Sequence, residues 1–570
     1  MDRSAISVLL AFPATLAGLS VAPGKPPALT TSASVAAIAG KVICHSPPPV
    51  VCRRPQAGGY ATEPPQLFSR AGRLSLELDY VSSADEAGRK LFCFVTPDGL
   101  ESPTLHVRPG DILHIHLKNL VLAASAAATG KMAMAVQAAG PCGASAMDAT
   151  SVNIHFHGTH TSPTCHADDV LHTLVNSGQS FDYQVRLPKT QPPGLYWYHP
   201  HVHGQSEAAV QGGASGAIVV DGVETFEPVA GLPERTLIVR DQTVAGNPAP
   251  GGAVPTSDLT LNYVPIAYPA LTPAKIAIKP GGREFWRVLN ASAETVLDLA
   301  LVYDGVDQPL DIVGLDGVPI GAHGERPAAK TLTANHILIP AAGRAEFIIR
   351  APSAKVGQAS LVTRAVAMGP DGDNDTARTL ARLAAAPAPL DASAPPETTP
   401  SAPAPGRAAD RLEHAPITAR RKLYFSETLP DPYDPTSQAK YFITVDGATP
   451  QAFNPASPPA IITTEGAVEE WTIENRSREM HEFHIHQLHF KLTKRDGEAL
   501  PPDQQQEFDT VQVPFWKGSG PYPSITVRLD FGGVTGDLLY HCHLLDHEDG
   551  GMMAVVRVLP RGGSAKTAAG

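Results

Sequence analysis

The chain has 570 residues, 43% hydrophobic and 18% charged, enough for roughly three to five domains that each bury a core. Its 55 prolines are about twice the usual share and, with 49 glycines, interrupt the chain too often for long helices, so an all-β architecture is expected. A formal charge of −12, from 44 basic and 56 acidic residues with no basic run, argues against nucleic acid as a partner.

The chain opens on Met1-Asp2-Arg3 and an apolar run to Ala22, broken by Pro13 and ending in Ser20-Val21-Ala22. Residues 1–22 read as a signal peptide, which predicts a secreted or periplasmic protein. No later stretch has the length of a membrane span. A Pro-rich approach segment follows over 41–68, and from Leu74 the pattern alternates with period two, the mark of strands. Residues 112–117 form such a strand, with His114 and His116 as half-exposed strand residues. An Ala- and Gly-rich stretch, 121–150, reads as an inserted loop or short surface helix. Further strands are expected at 196–198, 216–220, 236–240, 284–289, 338–339 and 345–350, separated by Gly, Pro and Asp turns at a spacing that suits β-sandwiches. Residues 383–409 are nearly all Ala, Pro, Ser and Thr and read as a linker. The result is three β units, 60–225, 231–370 and 420–560, with a tail after Arg561.

Six cysteines are present: Cys44, Cys52, Cys93, Cys142, Cys165 and Cys542. Cys44 with Cys52, and Cys142 with Cys165, are the pairs nearest in sequence, but spacing does not fix connectivity. An exported chain would carry one or two disulfides.

Of 22 histidines, ten fall in four clusters: Asn153-Ile154-His155-Phe156-His157-Gly158, Trp197-Tyr198-His199-Pro200-His201, His481-Glu482-Phe483-His484-Ile485-His486, and Tyr540-His541-Cys542-His543 running on to His547. Each contains His-x-His, and on a strand residues i and i+2 share a face, so each pair offers two imidazoles to one side. In His541-Cys542-His543 the Cys must point opposite to its neighbours, so one strand serves two metal sites. On the Cys542 side, His547, Met552 and His481 complete two imidazoles, a thiolate and a weak thioether, the ligand set of a blue-copper centre. Zinc also takes Cys and His, but leaves Met552 and the other eight histidines without a purpose. Met552 is preferred to Met553 as the axial group, with Met553 facing the core.

In order and spacing, all four clusters resemble the copper-binding signatures of the multicopper oxidase family, in particular its laccase-like bacterial members. The resemblance implies three cupredoxin-like (plastocyanin-like) Greek-key β-sandwiches and four copper ions. It makes His481, Cys542, His547 and Met552 the type 1 ligands, His155 and His484 the type 2 ligands, and His157, His199, His201, His486, His541 and His543 the ligands of the type 3 pair. Every primary position is filled, which argues against a copper-free relative. The partners it implies are a small-molecule electron donor and dioxygen. Electrons would enter at His547 or His481 and pass from Cys542 to His541 and His543. Oxygen reduction consumes protons, and Asp168 and Glu548 match the family's acidic positions, with Asp169 the competitor to Asp168. His203 and His489 are expected outside the ligand set, and His160, His166 and His172 as solvated loop residues.

Methionine is scarce, at eight, so phenolic or aromatic amine donors are expected ahead of cuprous or ferrous ions. A bilirubin-like pigment as donor, and a non-catalytic copper-binding protein, are further alternatives. A copper nitrite reductase needs no trinuclear cluster, and the four paired His motifs speak against it.

Overall fold

A computed structural model describes residues 52–122, 142–143, 146–245, 255–321, 331–385, 410–430 and 438–562. The signal-peptide segment 1–22, most of the stretch 121–150, most of the linker and the tail beyond Gly562 lie outside the described residues. So does Cys44.

Alternation becomes strand wherever one face meets a core and the other meets water, as in Ser180–Arg186, whose residues are exposed and buried in turn. Six sheets result among the described residues, and they face each other in pairs around three apolar cores. In the first sandwich a five-stranded sheet carrying Thr104–Val107, Gly194–His199 and His155–His157 packs on a four-stranded sheet carrying Arg73–Ala84 and Ile112–Asn119. The second joins an eight-stranded and a six-stranded sheet around Trp286 and Phe347, and the third a seven-stranded and a five-stranded sheet around Trp471 and Phe483. The protein is all-β, built of cupredoxin-like sandwiches. No helix among the described residues is long and apolar enough to cross a membrane.

Three points complete or correct the sequence reading. Cys52 bonds Cys93, not a cysteine near it in sequence, because the segment at 52–54 lies along the strand Lys90–Val95 and brings the two Cα atoms to 5.8 Å; Cys142 bonds Cys165. The described part of the Pro-rich approach segment is tied down: Arg54 pairs with Glu101 at 3.0 Å, and Gln66–Phe68 adds a parallel strand beside Thr104–Val107. The second unit does not stop at 370, since Arg378–Ala385 pairs with Ala359–Arg364 and Ala274–Ile278 and so occupies the first residues of the expected linker.

The period of two also aims the histidines. In Gly194–His199, Tyr196 and Tyr198 point into the first core, while Leu195 and Trp197 face Ile238, Leu289 and Ala342 of the second sandwich, and His199 continues that outer face. In the third sandwich Phe483, Ile485, Tyr540 and Cys542 belong to the core, so His484, His486, His541 and His543 face out of it. Register pairs His155 with His199 and His484 with His541. Two outward histidine faces thus meet at the seam between the first and third sandwiches.

Candidate metal centre

Inside the end of the third sandwich, Cys542 Sγ lies 3.7 Å from the Nδ1 atoms of both His481 and His547, which are themselves 3.0 Å apart. All three side chains are at most 1% exposed. The far ring nitrogens are held from outside: His481 Nε2 by Ser477 Oγ at 2.6 Å, and His547 Nε2 by Glu479 at 3.3 Å and Asp546 at 3.5 Å. With Nε2 occupied, both rings turn Nδ1 toward the sulfur. Met552 sits in the same apolar cluster as Cys542, with its carbonyl accepting the Cys542 N–H at 3.1 Å. Met553 instead packs with Val170 and Leu539. Burial pushes the Cys542 thiol up and the His481 imidazole well below its usual pKa; at His547 burial works against the charge, but Asp546, Cys542 and Glu479 outweigh it and hold the pKa well above the usual value. The surroundings of this triangle favour a cation.

At the seam, eight imidazoles converge. His155, His157 and His199 can place donor atoms within 4.8 Å of one another, as can His155, His484 and His486, and His201, His486 and His541. Each ring that donates outward leaves its other nitrogen facing in: His155 Nδ1 to Asp168 at 3.0 Å, His199 Nδ1 to the Pro200 carbonyl at 2.8 Å, His484 Nδ1 to the Asp509 carbonyl at 2.8 Å, and His541 Nδ1 to the Cys542 carbonyl at 2.8 Å. Buried His155 Nε2, His157 Nδ1, His199 Nε2, His484 Nε2 and both nitrogens of His543 have no hydrogen-bond partner. Unpaired buried polar atoms are costly, and six ring nitrogens gathered at one seam form a donor set that metal ions would satisfy. His201 and His486 Nε2 approach His541 Nε2 at 3.3 and 3.1 Å, which brings three ring nitrogens together. Burial and mutual repulsion push His157, His201, His484, His486 and His543 well below the usual pKa, and His541 to about 3, so these rings are neutral and able to ligate. The residues fit copper: imidazoles with one thiolate and one thioether at the first site, imidazoles alone at the second.

Two family models described as Multicopper oxidase match residues 146–224 and 424–562, the segments that carry the four clusters. Both cluster-bearing segments match the multicopper oxidase family. It is 36% identical over 94 residues to the Multicopper oxidase mco of Staphylococcus haemolyticus, covering 16% of this chain and 20% of that protein. It is 34% identical over 91 residues to a Laccase of Haloferax volcanii, covering 15% of each. The matched part spans about a fifth or less of the length of these relatives. Among solved structures, a Multicopper oxidase from Campylobacter jejuni, described as a metallo-oxidase, aligns over 89% of this chain and 96% of its own with a TM-score of 0.61 at 20% identity, a likeness of fold.

Within this family framework, the acidic residues singled out from sequence are not solvated. Asp168 is 1% exposed: Oδ1 accepts from His155 Nδ1 and from the Phe156 N–H at 3.1 Å, while Oδ2 accepts from Gln487 Nε2 of the third sandwich at 2.7 Å. Asp169 turns away to His172. Glu548 is fully buried; Oε1 accepts from Ser206 Oγ at 3.0 Å and lies 3.6 Å from His201 Nδ1, and Oε2 lies 3.8 Å from His541 Nδ1 without a hydrogen bond. Burial raises the Glu548 pKa well above the usual carboxyl value. Of the other histidines, His203 rests against Phe453, His166 stacks on Phe181, and His160 reaches His489 at 2.6 Å across the domain seam. His160 and His489 are therefore interdomain partners, not independent loop residues.

Sequence reading missed the outer groups. Asp509, Ser477 and Glu479 hold ligand rings, and Arg344 and Gln487 hold the carboxylates Asp509 and Asp168 that do so; Arg344 and Asp509 lie far from the clusters along the chain, and although Ser477, Glu479 and Gln487 lie beside the third cluster, no spacing rule marks them as ring partners. It also missed a cleft of about 160 Å³ beside His547, lined by Glu294, Asp371, Asp373, Asp375, Glu479, Asp546, Tyr441 and Met368. Tyr441 stacks on the His547 ring with centroids 4.2 Å apart.

Proposed function

We propose that the protein is a copper-dependent oxidase that couples one-electron oxidation of small-molecule donors to four-electron reduction of dioxygen to water. The observation that carries this reading is the strand Gly536–Cys542, which places Cys542 in one donor set while His541 and His543 enter another on its opposite face. His481, Cys542, His547 and Met552 would hold the type 1 ion. His155 and His484 would hold the type 2 ion, and His157, His199, His201, His486, His541 and His543 the type 3 pair. Copper supplies one-electron acceptance at the first site and dioxygen binding and reduction at the second.

The chain's own part is ligand orientation, electron passage and protons. Electrons leaving Cys542 Sγ have a covalent route through its backbone to the imidazoles of His541 and His543. Asp168 orients His155 while joining the first and third sandwiches. Glu548, with Oε2 unpaired beside His541, is placed to hand protons to oxygen, with Ser206 Oγ holding its other oxygen. Glu479 and Tyr441 cover His547, so electrons enter through the cleft and not at a bare ring edge. Two disulfides in the first sandwich support folding in an oxidising compartment, in keeping with export.

For the donor, the laccase-like relatives support phenolic or aromatic amine compounds. A second reading is favoured by the cleft: the acidic side chains around His547, with Glu479 and Asp546 nearest its ring, suit a cation, which makes ferrous or cuprous ions donors in their own right. The test is oxygen uptake by the copper-loaded chain with a phenol, an aromatic amine and ferrous ion, recorded beside the visible spectrum. Uptake with an intense blue band supports the oxidase, and the ranking of donors decides between the two readings. A blue, fully loaded protein that consumes no oxygen with any of them would show a non-catalytic copper protein.

A further inference from the structure

The middle sandwich contributes none of the four clusters, yet one of its side chains reaches the seam. Arg344, the first residue of the strand Arg344–Arg350, is 1% exposed and its guanidinium is saturated. Nε donates to the Leu195 carbonyl at 3.0 Å, Nη1 to that of Ala342 at 3.2 Å and Nη2 to that of Asp316 at 2.8 Å. The same guanidinium forks onto Asp509, Nη1 to Oδ1 at 2.7 Å and Nη2 to Oδ2 at 2.5 Å.

Asp509 then acts on two histidines from different sandwiches. Its Oδ1 accepts from His157 Nε2 at 3.1 Å and its backbone carbonyl accepts from His484 Nδ1 at 2.8 Å. Carboxylate and carbonyl oxygens are acceptors only, so each ring must carry its proton on the nitrogen facing Asp509. That leaves a lone pair on His157 Nδ1 and on His484 Nε2, both among the unpaired atoms facing the seam. Gly158 records the same constraint in the sequence. At φ +79°, a Cβ there would stand 2.5 Å from both Arg344 Nη2 and Asp509 Oδ2, so the residue after the first His-x-His is glycine where the ion pair crosses the chain.

We propose that Arg344 is a positioning residue: by clamping the Asp509 carboxylate it sets the tautomer and orientation of His157, and by fixing Asp509 it sets the orientation of His484, so the middle domain governs metal binding at a site to which it gives no ligand. This rests on reading those histidines as copper ligands. A buried ion pair is a poor stabiliser against an apolar substitute of similar size, which makes a purely structural role an insufficient account of so fully committed a guanidinium.

The test compares Arg344→Met, Arg344→Lys and Asp509→Asn with wild type as full-length copper-loaded chains. Copper is withdrawn with a chelator, the blue band of the Cys542 site serves as internal reference, and the magnetic resonance spectrum of the non-blue copper is recorded. Nitrogen-15 shifts of the histidine rings in the metal-free chain give the tautomers independently of copper. Arg344→Met should release seam copper about 10- to 100-fold more readily with the blue band unchanged, and His157, whose acceptor is the unclamped carboxylate, should lose its single tautomer, while His484 keeps the one its backbone acceptor sets. Arg344→Lys should restore part of this, since an ammonium carries the charge but cannot fork. Unchanged seam affinity and an unchanged His157 tautomer in the folded variants, even with lowered stability, would overturn the proposal. Should Arg344→Met fail to fold, the Lys and Asn variants decide it. A wild-type chain that binds no copper at the seam would refute the copper reading alone, because the His157 tautomer still reports on Arg344.

Discussion

Replacing Asp168 separates what its carboxylate holds together from what it does in turnover. Three buried donors converge on it, from His155 Nδ1, the Phe156 backbone and Gln487 Nε2. In Asp168→Ala all three lose their acceptor, at about 1–3 kcal/mol for each donor left buried, so the loss should total about 3–9 kcal/mol. Asp168→Asn is different. Its oxygen can keep His155 and Phe156, which turns its amide toward Gln487, donor against donor; but Gln487 Oε1 is buried without a partner, so the Gln487 amide can rotate and accept. All three contacts survive as neutral hydrogen bonds in place of charge-assisted ones, a loss of about 1–2 kcal/mol in all. Thermal unfolding of the metal-free chains should place the first sandwich of the alanine variant several degrees below that of the asparagine variant, at roughly 2–4 °C for each kcal/mol. Asp168→Asn, which cannot carry a proton, should still let donor bleach the blue band while oxygen consumption falls. Equal destabilisation by Ala and Asn would refute the three-donor account, and undiminished oxygen uptake by Asp168→Asn would remove the carboxyl from the proton supply.

Cys542→Ser should abolish the blue colour and donor oxidation while the seam still binds copper; retained colour would refute the type 1 assignment. Glu479→Gln removes the carboxylate 3.3 Å from His547 Nε2, and should raise KM for ferrous ion about 5- to 10-fold, the equivalent of ~1 kcal/mol, while leaving KM for a neutral phenol unchanged. A parallel rise for both donors would show that the cleft does not select by charge. The Asp375 carboxyl is pushed by burial up to about 8 from an unfolded value near 3.8, so the folded chain holds a proton that the unfolded chain has lost between those pH values, and stability falls as pH rises through that window. Asp375→Asn can still accept the Val296 N–H and should match wild type near pH 3.5 but gain stability toward pH 9. The full shift would be worth about 5–6 kcal/mol; because the residue keeps some contact with solvent, screening reduces the expected gain to ~1–2 kcal/mol, read from chemical denaturation at the two pH values. A pH-independent difference would contradict it.

Much of the fold and of the donor sets could be read along the chain because both rest on local geometry. The strand Ile112–Asn119 follows from its alternating pattern, and strands such as Gly216–Val220 from short apolar runs beside Gly and Pro turns. The opposed faces of Cys542 and its two flanking histidines follow from the strand period alone. The Cys52–Cys93 bond, the strand Arg378–Ala385 and the depth of Asp168 did not, since each depends on what packs against it.

The sequence by itself determined the residue types, their faces and their grouping into a sulfur-containing site and an all-imidazole site, since two residues along a strand are a distance that covalent geometry sets. Only the tertiary structure decided which acceptors set the ring tautomers, which carboxylates gather beside His547, and that Arg344 of the middle sandwich takes part. Asp509 and His157 are 352 residues apart and Arg344 and Asp509 are 165 apart. Contacts at such separations come from the docking of finished sandwiches, which no local period encodes.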